Sequence, residues 1–146
     1  MSRRTIPLLF SGLVAGTALV ACTPPHNSDI TWQINEVYLD PATPASLPGD
    51  VTATMVMGGA TVTGDTGCAA YQGRVKFDNL DDPHSVTFST MRFQETQCIG
   101  AQRYFHDALV TLLDGEFAVT KTDKEMRLTK QPAGLDAPSI RLVATQ

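Results

Sequence analysis

Three histidines, a short acidic run and a group of methionines are the residues of this chain that could bind a metal, move a proton or grip a ligand. Their spacing argues against the first two roles. His26, His84 and His106 are scattered, and no pair has the i, i+4 relation that sets two ligands on one helix face. The run Asp78-Asn79-Leu80-Asp81-Asp82 offers hard oxygen ligands of the kind calcium takes. Pro83 and Ser89, however, stand where a calcium-binding EF-hand loop needs Gly and Glu, so the run is expected to be a solvated turn. There is no Gly-x-Ser-x-Gly elbow, phosphate-binding loop or zinc-helix motif. The chain is read as a non-enzyme, with no catalytic residues, no metal and no cofactor. Met55, Met57, Met91 and Met126 are expected in the core, where thioethers fill irregular gaps; the other use of such a group is an adaptable binding surface.

Cysteine chemistry is better specified. Arg3 and Arg4 are followed by an apolar stretch from Ile6 to Val20 and then by small residues before Cys22, which is the layout of an export signal. The apolar run is about fifteen residues and is interrupted by Ser11, Gly12, Gly16 and Thr17, short of the roughly twenty that a spanning helix needs. Leu19-Val20-Ala21-Cys22 resembles the bacterial lipobox, in which the cysteine thiol accepts a thioether-linked diacylglycerol. Residues 1–21 are therefore expected to be a signal peptide and Cys22 a lipidation site. Two acyl chains on one residue suffice for stable anchoring. Residues 22–29, with Pro24 and Pro25 and little apolar content, read as a tether. The domain then begins near residue 30 and faces outside the cytoplasm, held at the cell membrane by the lipid.

With Cys22 assigned to lipid, Cys68 and Cys98 remain. An exported pair thirty positions apart predicts a disulfide, because no glutathione pool reduces it and the spacing is poor for zinc. A redox-active pair would favour Cys-x-x-Cys.

The rest of the sequence must build one domain. The 146 residues, 42% hydrophobic and 18% charged, suit a single globular core. Without Arg3 and Arg4, nine basic side chains face fifteen acidic ones. An acidic domain without a basic stripe is not built for phosphate backbones, so nucleic acid is not an expected partner.

Ile30 to Leu39 alternates as a half-buried strand with Trp32 and Ile34 on one face. Residues 40–50 hold three prolines and must loop. Val51–Met57 and Ala60–Thr63 follow, separated by Gly58-Gly59, a pair suited to a type I′ hairpin turn. Tyr71–Phe77 alternates with Tyr71, Gly73, Val75 and Phe77 together, and Val86-Thr87-Phe88 is a further short strand. One segment has a helical period: Ala101, Tyr104, Phe105, Ala108, Leu109, Leu112 and Leu113 form a stripe predicting a helix over about 99–114, with Gly115 ending it. Strands at Glu116–Lys121, Glu125–Lys130 and Ser139–Ala144 close the chain. The fold class is α+β: a mainly antiparallel sheet or partly closed barrel with one amphipathic helix.

Gly58-Gly59-Ala60-Thr61-Val62-Thr63-Gly64-Asp65-Thr66-Gly67-Cys68-Ala69-Ala70-Tyr71-Gln72-Gly73 resembles the central motif of META domains, the family that includes the heat-inducible HslJ lipoproteins. Met91-Arg92-Phe93-Gln94-Glu95-Thr96-Gln97-Cys98 and Tyr104-Phe105-His106-Asp107-Ala108-Leu109 stand where the family has its second cysteine motif and helix. Trp32 matches the tryptophan that opens the domain, while Ala69 replaces the usual asparagine. The resemblance spans residues 30–145. It implies a small secreted or anchored protein linked to stress, motility or antibiotic tolerance, without established catalytic residues. The expected function is a lipid-anchored envelope protein whose META-like domain, residues 30–146, binds or supports an envelope protein or complex. The alternative is a carrier of a lipid or small hydrophobic ligand inside a curved sheet, for which Trp32, Tyr71, Phe77 and Phe88 would supply the lining.

Overall fold

The computed structural model of the protein describes residues 30–145. Cys22, His26, the signal peptide and the tether lie outside the described residues. Nine strands and one helix follow one another as β1 (Thr31–Tyr38), β2 (Pro44–Ala45), β3 (Ala53–Met57), β4 (Thr61–Asp65), β5 (Ala70–Phe77), β6 (Ser85–Phe93), α1 (Gly100–Leu112), β7 (Gly115–Lys121), β8 (Glu125–Lys130) and β9 (Ser139–Ala144). All pairings are antiparallel and run in the order β1-β3-β4-β5-β6-β7-β8-β9, and β9 returns to pair with β1. The result is a closed eight-stranded barrel, with β2 a two-residue addition beside Val37 and Tyr38.

Closure follows from the period-2 pattern. Along each strand alternate side chains point inward, and eight strands enclose a space that side chains can fill. Trp32, Met55, Phe88, Phe117, Leu128, Ile140 and Leu142 are all completely buried there. Phe88 and Phe117 meet edge to face with centroids 5.5 Å apart, the arrangement that ring quadrupoles prefer. Met55, Met57 and Met126 are core residues and Met91 packs against the core. Of the residues expected to line a ligand cavity, Trp32, Tyr71 and Phe88 belong to the buried core cluster and Phe77 packs against it.

Three features depart from the sequence reading. Neither Gly58 nor Gly59 has the left-handed φ of a type I′ turn. Gly58 N–H instead donates to Thr61 O at 2.7 Å, and residues 58–61 form a longer loop. β6 runs to Phe93, well past Phe88, and carries a bulge at Thr90, whose φ of 53° is left-handed. The buried helix face is Phe105, His106, Ala108, Leu109 and Leu112, so Ala101 and Tyr104 of the expected stripe face solvent and His106 takes a buried place.

Helix α1 has no side-chain N-cap, and its position comes from packing its apolar face on the barrel mouth. At its other end Lys130 Nζ donates to the carbonyls of Leu112 and Asp114, satisfying orphan acceptors with a cation at the negative end of the helix dipole. Gly115, at φ 75°, then turns the chain into β7.

The barrel has two distinct ends. Thr31, the 58–61 loop, the 78–84 turn and the Thr122-Asp123-Lys124 hairpin lie at the first, where Thr145 N–H donates to Thr31 O and Ala144 N–H to Lys124 O. Helix α1, the disulfide, residues 39–52 and the loop 131–138 lie at the second.

Candidate functional site

The two cysteines expected to pair are joined: Cys68 and Cys98 form a disulfide with Cα atoms 5.8 Å apart. It ties the β4–β5 turn to the segment that leads from β6 into α1. Thr96 reinforces the junction, its Oγ1 donating to Cys68 O at 3.3 Å while accepting Cys98 N–H at 3.2 Å.

Two residues before Cys68, in the same turn, lies a polar cluster that the spacing of the sequence did not show. Thr66 is 0% exposed and His106 5% exposed, with Thr66 Oγ1 2.8 Å from His106 Nδ1. Thr66 Oγ1 also accepts the N–H groups of Cys68 at 3.2 Å and Ala69 at 3.1 Å. A hydroxyl has two acceptor sites and one hydrogen. The hydroxyl hydrogen has two acceptors in reach, His106 Nδ1 and Ala69 O at 3.2 Å, and the tautomer of His106 decides which one takes it. Burial pushes the His106 pKa below its ordinary 6.5; Asp107 and Asp65 oppose this and Arg103 assists it. Thr66 and His106 thus have the spacing of a nucleophile and its base, but the hydroxyl is closed off from any substrate and committed to holding the turn. His106, which the sequence showed only as one of three scattered histidines, is thus buried against the turn. Its signal was its place between Phe105 and Ala108 on the helix.

His84 is exposed beside Asp82. The acidic run is a turn satisfied from within: Asp78 Oδ1 accepts His84 N–H and Ser85 N–H at 3.0 Å, and Asn79 Oδ1 accepts Asp81 N–H at 2.9 Å. The Ser85 bond leads in holding the Asp78 carboxyl below the usual range. Among the described residues no three His, Cys, Asp or Glu side chains are grouped to hold a metal ion, and no helix is long and apolar enough to cross a membrane.

The outer wall of the barrel carries two grooves among the described residues. A groove of about 190 Å³ lies over β5 and β6 at Gln72 and Arg92, and one of about 390 Å³ lies at the second end between the turn after β1 and the loop 131–138. Tyr38, Arg127, Thr129 and Ser139 form the floor of the larger, with Pro41, Leu135 and Ala137 on its sides. Residues of β1, β8 and β9 reach it because strand alternation turns them outward, opposite Val37, Leu128 and Ile140 in the core, with Ser139 the deepest at 5% exposure. Arg127 sits over the Tyr38 ring with its guanidinium carbon 5.4 Å from the centroid. Tyr38 Oη donates to Glu36 Oε2 at 2.8 Å, and that hydrogen bond leads in pushing the phenol pKa up. Arg141 joins Glu36, at 3.4 Å, to Glu125.

Comparison with known proteins adds the architecture alone. No family model matches the chain, and no curated protein does. Among solved structures, the NMR structure of a protein from Burkholderia xenovorans is similar with a TM-score of 0.61 at 14% identity, over 92% of this chain and 99% of that one. At that identity the likeness is one of fold: this chain shares the closed antiparallel barrel with its single helix.

Proposed function

We propose that this protein is a non-catalytic envelope lipoprotein, anchored by a lipid on Cys22, whose META-like barrel binds or supports another envelope protein or complex under stress. The carrying observation is that buried apolar side chains from all eight barrel strands form one core cluster while the outer wall carries grooves. Such a core directs binding to the surface, and the Thr66–His106 contact is buried away from substrate. A carrier of the expected kind needs an internal cavity, which the packing of Trp32, Phe88 and Phe117 does not favour. The META resemblance is supported by the pairing of Cys68 with Cys98 and by Trp32 in the core. Thr31 and the acidic 78–84 turn share one end, so a tether entering there would direct α1, the disulfide and the larger groove away from the membrane.

Metabolic labelling with a clickable fatty acid tests the anchor: the wild-type chain should incorporate it and Cys22→Ser should not. Labelling that survives the substitution would overturn the assignment. In-cell crosslinking tests the binding role, with an envelope protein recovered reproducibly as the expected outcome. A chain that crosslinks only to itself and to abundant bystanders would refute it.

A further inference from the structure

We infer that the larger outer groove takes the C-terminal carboxylate of a partner peptide whose last side chain is apolar. This deepens the protein-binding role proposed above and rests on it for the nature of the partner.

Three observations carry the inference. The first is an uncompensated charge. Arg141 is engaged by both Glu36 and Glu125, whereas Arg127 has no carboxylate partner among the described residues and meets only the Tyr38 ring. Arg127 is directly opposite Arg141 across β8 and β9, but the two carboxylates there are taken by Arg141. A carboxylate docking on Arg127 gains the fork geometry of a guanidinium.

The second observation is the pair of hydroxyls on the same floor. Thr129 and Ser139 are register partners, and neither side-chain hydroxyl has a partner among the described residues. They supply donors for the carboxylate oxygens that Arg127 leaves open.

The third is apolar surface within one residue's reach. Leu135 is fully exposed on a wall shared with Pro41 and Ala137. An aliphatic side chain laid across them would bury surface that is otherwise wet.

The groove's size selects a chain end. At about 390 Å³ it is near the lower end of the roughly 300–1,000 Å³ typical of ligand sites. A C-terminal residue carries its carboxylate and side chain on one Cα, so a single residue reaches both the cation and the apolar wall. An internal acidic residue would need a neighbour to supply the apolar contact, and a long acyl chain would need a continuous apolar floor in place of Thr129 and Ser139.

The full chain in detergent micelles can be titrated with acetyl-Ala-Leu as the free acid, with its C-terminal amide and with hexanoate, up to about 10 mM, a range that detects weak millimolar binding. Amide-proton NMR shifts are the readout. The free acid should move Arg127, Thr129, Leu135 and Ser139. The amide, and the free acid on Arg127→Gln, should bind about tenfold or more weakly, as loss of a charged hydrogen bond requires. Arg127 is exposed, so the variant's remaining spectrum should match the wild type and show that the fold is kept. Equal binding of acid and amide, unaltered binding by Arg127→Gln, hexanoate binding as tightly as the peptide, or no shift from the free acid would each overturn the inference. A crosslinked partner whose contacts map elsewhere on the barrel would refute the groove and leave the binding role standing.

Discussion

Thr66→Val removes one oxygen from the interior and keeps the side-chain shape, so its cost isolates the buried polar cluster. The hydroxyl meets four groups: His106 Nδ1 at 2.8 Å, Ala69 N–H at 3.1 Å, Cys68 N–H at 3.2 Å and Ala69 O at 3.2 Å. Cys68 is half-exposed and its N–H can turn to water. Ala69 and His106 are buried, leaving the Ala69 N–H and the His106 Nδ1 unsatisfied at about 1–3 kcal/mol each. The expected loss is about 2–6 kcal/mol, a large part of a domain's usual stability of about 5–15 kcal/mol. Thr66→Ser, which keeps the oxygen and gives up a methyl group, should lose only about 1 kcal/mol. Urea unfolding at pH 7.5 measures both, and a cycle with His106→Leu should give a coupling of about 1 kcal/mol or more. The pH dependence supplies an independent check. Because the folded state holds the His106 pKa below 6.5, the unfolded chain takes up a proton first as pH falls. This contribution is fully present above pH 6.5 and is lost as pH drops through 6.5 toward the folded value. His106→Leu should flatten that part of the stability profile. Equal losses for Thr66→Val and Thr66→Ser, or an unchanged slope in His106→Leu, would refute the latch.

Other substitutions probe the barrel. Cys98→Ser should lower stability by about 3–4 kcal/mol, the loop-entropy value for a closure of this length, and a reductant should reproduce the loss in the wild type but add nothing to the variant. Gly64→Ala should cost about 1–3 kcal/mol in thermal or urea melts, because a Cβ there overlaps the Thr54 carbonyl and the Tyr71 ring; full stability in that variant would show that β4 has room. Tyr71→Phe, which forfeits the 2.9 Å bond from the phenol to Thr54 O, should cost about 1 kcal/mol by the same assay. Trp32 is completely buried and its Nε1 has no hydrogen-bond partner among the described residues. Trp32→Phe, which discards that donor, should therefore cost less than about 2 kcal/mol, and Trp32→Ala about 3–5 kcal/mol.

Much of the fold is legible because its signals are local. The alternation of Glu116–Lys121, Glu125–Lys130 and Ser139–Ala144 marks β7, β8 and β9 almost to the residue. Gly115, at the end of an apolar stripe, marks the helix stop. The Gly58-Gly59 reading failed because glycine permits a left-handed turn without requiring one. β6 was read short because Ser89 and Thr90 are exposed around a bulge, which interrupts the alternation that identifies a strand. The site was less legible still. Arg127, Tyr38 and Ser139 are distant in sequence, and neither charge nor periodicity of any single strand indicates that they meet.

By itself the sequence determined the period of each strand, the amphipathic helix, the expectation of a lipid on Cys22 and, through the leftover pair, the Cys68–Cys98 bond. These depend on residue type and on neighbours a few positions away. Tertiary structure alone decided that β9 closes on β1, that His106 turns inward to Thr66, and that among the described residues Arg127 is left without an acid while Arg141 takes two. Each of those outcomes depends on which strands become neighbours and in what register. Register is set by the collective burial of both barrel faces, which no local stretch of sequence contains.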